Sequence, residues 1–143
     1  MPGPASSESI LAGVPLALPG LTRAVKLQAK ASTVGFDWND ARLVIEKIRE
    51  ETDEIEAALD AGDAAAIVEE IGDLLFSTAN LARHVKADPE DAIRRANAKF
   101  ERRFRFIEEA LARDGTAPGD AVLEEMEELW NLARQGEKHE TGE

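Results

Sequence analysis

Two matched pairs of acidic residues, Glu51/Glu54 and Glu70/Asp73, interrupt segments whose apolar residues recur at helical spacing. They belong to the strings Glu50-Glu51-Thr52-Asp53-Glu54 and Glu70-Ile71-Gly72-Asp73. A three-residue step places both acids of a pair on one helical face, about 5–6 Å apart at Cβ. Two such helices packed antiparallel bring the four carboxylates together as an all-oxygen cage, the donor set that hard divalent cations such as Mg²⁺ prefer.

The helical phase gives the acids their meaning. Val44, Ile48, Ile55 and Leu59 share one arc, with Ile45 at its edge. Glu51 projects inside that arc between Val44 and Ala58, and Glu54 lies at its margin. A carboxylate in an apolar stripe is unfavourable unless it is paired or bound to metal. A core built only for stability would carry leucine there, so the violation points to function. The bland reading is a solvated acidic face; the second pair at the same spacing weighs against it. Without metal the cage repels itself, since two like charges about 4 Å apart interact by on the order of 4 kcal/mol at an effective dielectric near 20. The next segment is apolar over half its circumference (Ile67, Ile71, Leu74, Leu75, Thr78, Leu81, Ala82, Val85). Its other side carries Glu70, Asp73, Ser77, Asn80 and His84.

Around these segments the chain reads as all-α, with about five helices. The spacing predicts helices over 20–31, from a cap at Asn39 or Asp40 to about Leu59, and over 64–86. Asp88-Pro89-Glu90-Asp91 starts a fourth, with a capping acid and proline at the first helical position, running to about Arg113. A loop from Gly115 to Gly119 precedes a last helix over 120–135. Residues 1–19 are expected to be a flexible lead-in, 20–135 the folded domain and 136–143 a polar tail.

With 143 residues, one domain and one sizeable core are expected. Cysteine is absent, which excludes thiolate nucleophiles and cysteine zinc sites. The net charge of −12 argues against nucleic acid and anionic membrane as partners. No run of apolar residues is long enough to span a bilayer, and the N-terminus lacks the basic region of a signal peptide, so a cytoplasmic protein is expected. Positive charge is concentrated over 94–105 in Arg94, Arg95, Lys99, Arg102, Arg103 and Arg105, against Glu101 alone. There the apolar stripe runs Ile93, Ala96, Phe100, Phe104, Ile107, Leu111, flanked by Lys99 and Arg103. Asn97 falls within it, where a buried amide needs a partner. Phosphate oxygens are natural partners for Lys99 and Arg103; the alternative is a pair of cations snorkelling from a core helix.

The strings Lys26-Leu27-Gln28, Val34–Trp38, Lys47–Ile55, Glu69–Phe76, Asn80–His84, Ala96–Phe104 and Glu124–Trp130 occur in that order. Together, from about Leu18 to Arg134, they resemble the MazG-type nucleoside triphosphate pyrophosphohydrolases of the all-α NTP pyrophosphatase superfamily. The resemblance implies a helical bundle completed by dimerisation. It also implies Mg²⁺-dependent hydrolysis between the α and β phosphates, giving nucleoside monophosphate and pyrophosphate, with Mn²⁺ as a substitute metal. On it, Glu51, Glu54, Glu70 and Asp73 bind metal, Lys99 and Arg103 contact phosphates, and Trp130 lies at the nucleotide. Lys47 and Glu50 match positions near the ligand, Asn97 joins the candidate contacts, and Arg134 stands where a basic residue is expected. Many relatives carry two such units in tandem; this chain has one, most similar to the second.

The expected chemistry is metal-assisted attack of water with no covalent enzyme intermediate. Any acid of the cluster, or Glu50, is placed to take the proton, and Trp38 or Trp130 could stack on the base. Other readings remain open at this point: a narrow substrate such as dUTP, dCTP or phosphoribosyl-ATP, a non-catalytic helical metal binder, or an acidic adaptor that dimerises. The Glu-X-X-His motif of di-iron bundles is missing at His84 and His139.

Overall fold

The computed structural model describes residues 8–141, with side chains described as far as residue 138. Within that range it contains five α-helices, one 3₁₀ turn and no strand: α1 Gly20–Ser32, α2 Ala41–Ala61, α3 Ala64–His84, α4 Pro89–Arg113 and α5 Leu123–Thr141. The all-α expectation holds. The chain divides after Ala92 into two units.

Local chemistry sets most boundaries. Asp40, rather than Asn39, caps α2, its carboxylate accepting from the Arg42 amide at 2.9 Å. Gly62 closes α2 in the left-handed conformation (φ 67°), which a residue without Cβ adopts most easily. Asp63 immediately caps α3 through the Ala66 amide at 3.1 Å. So short a turn makes α2 and α3 an antiparallel hairpin. Asp88 accepts from the Glu90 amide at 2.9 Å, and Pro89 opens α4.

In the first unit α3 is the central helix, packing on α2 and on α1. Its contacts use small residues: Ala24, Ala58 and Ala79 are buried, with Val44 the largest apolar side chain enclosed there. Small side chains let the helix backbones approach, and burying Val44 supplies about 1.5–3 kcal/mol. Of the lead-in, the described part is turn-rich rather than loose: Val14 is buried and the Pro15 carbonyl accepts from Arg23 Nε at 3.3 Å. In the second unit Ile107, Leu111 and Ala133 are buried.

Three expectations are corrected. Helix α5 starts three residues later than expected and continues through Gly136 to Thr141, so the described part of the expected polar tail is helical; residues 142–143 lie outside the described range. The apolar half of α3 is not its buried side: Ile71, Leu75 and Val85 are exposed, while Ser77, Ala79 and Asn80 are buried. The polar side of the helix turns inward because the carboxylate face of α2 and Gln28 of α1 lie against it. Leu59, assigned to the buried arc of α2, is exposed near the helix end.

Candidate functional site

Along α2 the buried residues are Val44, Glu51 and Ala58, seven apart and therefore on one face. Glu51 is 3% exposed, as its place in the stripe required. It does not repel its neighbours unaided, because Lys47, one turn earlier, reaches Glu51 Oε1 with Nζ at 3.1 Å and Glu50 at 3.7 Å. The Lys47 ammonium is held above its usual pKa, first by the hydrogen bond to Glu51. Burial pushes the Glu51 carboxyl up, but hydrogen bonds from Lys47 and Glu70 outweigh it and hold the group below the ordinary glutamate range.

Glu70 faces Glu51 from α3. Its carboxyl is pushed up to about 7, first by a hydrogen bond it shares with Glu54, then by burial and by Glu51. Near neutrality a proton therefore sits among the acids, the response expected of like charges brought together out of water. Glu51, Glu70 and Asp73 each offer an oxygen within 4.8 Å of the others. Glu54 is exposed and joins this group through its contact with Glu70. Two buried oxygens, Glu51 Oε2 and Glu70 Oε2, have no hydrogen-bond partner. Orphaned buried carboxylate oxygens in an all-oxygen cluster fit a hard divalent cation.

The other candidates lie in the second unit. Arg103 donates from Nη2 to Glu137 at 2.7 Å, and its guanidinium lies 5.1 Å from the Trp130 ring centroid. Arg102 donates to the same carboxylate at 2.8 Å, and together the two arginines hold Glu137 below the usual carboxylate range, Arg103 contributing most. Phe100 packs on Trp130 with centroids 5.6 Å apart. Lys99 and Arg134 are exposed. Asn97, expected to be buried, is exposed as well, so its amide needs no protein partner.

Five residues at the far end of the first unit had no assigned role from the sequence. Asp37 accepts from Arg83 Nη2 at 2.6 Å and meets His84 Nε2 at 3.0 Å, and its carboxyl is held below the usual range, chiefly by Arg83. Arg83 also donates to Asn80 Oδ1. Gln28 donates to the Phe76 carbonyl at 2.9 Å. The signal that could have found them was the strings Lys26–Gln28, Val34–Trp38 and Asn80–His84, which converge here.

Residues 40–106 match the model of the MazG nucleotide pyrophosphohydrolase domain. The chain is 44% identical over 134 residues to the nucleoside triphosphate pyrophosphohydrolase of Escherichia coli K12, covering 92% of this chain and 51% of that protein. It is 42% identical over 121 residues to the Thermotoga maritima nucleoside triphosphate pyrophosphohydrolase/pyrophosphatase MazG, covering 85% and 46%. The chain thus carries a match to the MazG domain over residues 40–106. The match to the Bacillus subtilis uncharacterized protein YabN is 45% over 69 residues, covering 48% of this chain and 14% of that protein. The chain thus spans about half the length of the first two curated relatives. The MazG match contains the carboxylate cluster on α2 and α3 together with Lys99 and Arg103 on α4.

Proposed function

We propose that this chain hydrolyses nucleoside triphosphates between the α and β phosphates, releasing nucleoside monophosphate and pyrophosphate. The observation that carries the reading is the convergence of Glu51, Glu70 and Asp73 within 4.8 Å, with two buried oxygens unpartnered. The names of the Escherichia coli and Thermotoga maritima relatives support the substrate class.

Glu51, Glu70 and Asp73 are the ligands proposed for Mg²⁺ or Mn²⁺, with Glu54 completing the set. The bound cation would supply charge neutralisation for the polyphosphate and activation of water for attack at phosphorus. The residues themselves do the rest. Lys47 keeps Glu51 ionised and aligned. Glu50, at the solvent edge and beside Lys47, is proposed to accept the proton of the attacking water. Lys99 and Arg103 are proposed to meet the phosphates and stabilise charge on the leaving pyrophosphate, Trp130 to contact the nucleotide and Arg134 to add a further cation. Glu137, which now holds Arg103, would exchange that guanidinium with phosphate oxygens of higher charge.

The active form is proposed to be a homodimer. The exposed apolar side of α3, with Val68, Ile71 and Leu75, supports an assembly that covers it. No described helix is long and apolar enough to cross a membrane. The test is release of pyrophosphate and monophosphate from the eight common ribo- and deoxyribonucleoside triphosphates, with Mg²⁺ and with chelator. Metal-dependent release of both products in equal amounts is expected. Orthophosphate would mean that a different bond is cut, and no product from any nucleotide would overturn the reading.

A further inference from the structure

Arg103 is proposed above to meet phosphate, yet its side chain is only 11% exposed. One face of the guanidinium is covered by Trp130, whose ring centroid lies 5.1 Å from Cζ. The Nε–Nη2 edge is taken by Glu137, because both nitrogens donate to Oε2, at 2.9 and 2.7 Å. Such an edge is the fork with which arginine grips an oxyanion. The second carboxylate oxygen, Oε1, accepts from Arg102 Nε at 2.8 Å. Glu137 thus bridges two neighbouring guanidiniums with one oxygen on each, as two oxygens of a phosphate group would.

With so little of Arg103 open, a phosphate that pairs with it must displace one of these two covers. Trp130 is the harder to move, being a large apolar body on which Phe100 packs with centroids 5.6 Å apart. Glu137 is the easier. Its side chain is 25% exposed, so its ion pairs are open to water and weakened by it. A terminal phosphate brings more charge and more acceptor oxygens than a carboxylate. Gly136 precedes Glu137 inside α5, with open space where a Cβ would stand. Glycine in place of alanine weakens a helical turn by roughly 0.5–1 kcal/mol, so the turn that carries Glu137 lifts readily. Glu137 also lies beyond residues 40–106 that match the domain model, and beyond Trp130 and Arg134.

We propose that Glu137 is an autoinhibitory latch, an acid near the end of α5 that occupies Arg102 and Arg103 in place of phosphate oxygens and yields them to a polyanion. That the polyanion is the phosphate chain of a nucleoside triphosphate rests on the nucleotide-hydrolysis reading above. Binding then works against the closed latch, which lowers apparent affinity by the fraction of molecules that are closed. The latch therefore raises KM for the substrate and loosens the hold on the pyrophosphate product alike.

Glu137→Gln keeps the shape of the side chain and removes its charge. KM for a nucleoside triphosphate should fall by about fivefold, the upper worth of an ion pair open to solvent, and the inhibition constant of added pyrophosphate should fall with it. A KM that stays or rises overturns the latch; a rise would make Glu137 a residue that holds Arg103 ready for substrate. Trp130 reads binding without catalysis, since its ring carries the guanidinium that changes partner. The chain has two tryptophans, and Trp38→Phe leaves the emission of Trp130 alone. Inorganic tripolyphosphate, titrated into that full chain without divalent metal, should change the emission, and with a Kd about fivefold lower once Glu137→Gln is added. Circular dichroism confirms that both proteins remain helical. Equal Kd in the two proteins, or no change of emission in either, overturns the latch while hydrolysis by the wild type stands. Tighter binding in Glu137→Gln, in a chain that cleaves no triphosphate, supports the latch and overturns the hydrolytic reading instead.

Discussion

The inward side of α3 carries two polar clusters built on opposite principles. At one end Glu70 and Asp73 meet Glu51 and Glu54 with a single cation, Lys47, among them. At the other, Asp37 is met by Arg83 and His84, and Asn80 by Arg83. The first end carries excess negative charge and unpartnered oxygens; the second balances its acid with the Arg83 guanidinium. The same helix thus holds one cluster of acids with unpartnered oxygens, the proposed cation site, and one that fixes a loop. Charge balance, rather than the presence of acids, separates the two roles.

The largest effect should come from the unbalanced end. Glu51→Gln keeps the shape of the side chain and removes the buried charge. Pyrophosphate release should fall by about 10²–10³-fold, the scale of losing one preorganised electrostatic group. The metal-free protein should lose little stability, because the substitution gives up the ionic part of the Lys47 pair but relieves desolvation and the like charge facing Glu70, and exposed Glu50 remains beside Lys47. Pyrophosphate assays paired with urea unfolding check this. A loss of several kcal/mol in the metal-free protein would make Glu51 a structural ion-pair partner and erase the contrast between the two ends.

That contrast was partly legible before any coordinates. Glu51 could be read into a buried arc because Val44 and Ala58 flank it at heptad spacing, and the caps at Asp40 and Asp88 follow from side-chain chemistry alone. Which side of α3 turns inward was not legible. Its apolar half resembles a core in any isolated sequence, and only the acids of α2 and the amide of Gln28 draw the polar half inward. Asn97 misled for a similar reason: phase places it in a stripe, but burial depends on what packs there. The last residues of α5 look like a tail because they are polar, yet Glu137 gains Arg102 and Arg103 as partners thirty-odd residues away in sequence. Pairings of that kind leave no periodic trace.

A second, smaller effect sharpens the comparison. Mg²⁺ should raise the thermal midpoint of the wild type, since a ligand that binds only the folded state adds about 2.7 kcal/mol at a hundredfold excess over Kd. Glu70→Gln should abolish most of that rise, and Asp37→Asn should leave it intact. Differential scanning calorimetry with and without the metal reads both. An equal loss in the two variants would mean that the ends act as one electrostatic unit.

The smallest effect belongs to the balanced end, and its pH dependence gives it a sign. The Asp37 carboxyl is held below its ordinary value of 3.8, first by the hydrogen bond from Arg83. A carboxylate depressed in the folded state contributes stability above its unfolded pKa and loses it as pH falls through the folded one. Asp37→Asn should therefore be less stable than wild type by about 0.5–1 kcal/mol near neutrality, the usual worth of an ion pair open to solvent. The gap should narrow as pH drops below about 4, where the wild-type acid becomes protonated too. Denaturant unfolding of both proteins from pH 3 to pH 7 measures it. A gap that stays constant over that range would assign the effect to packing of the loop, because only an ionised Asp37 can lose its advantage with acid.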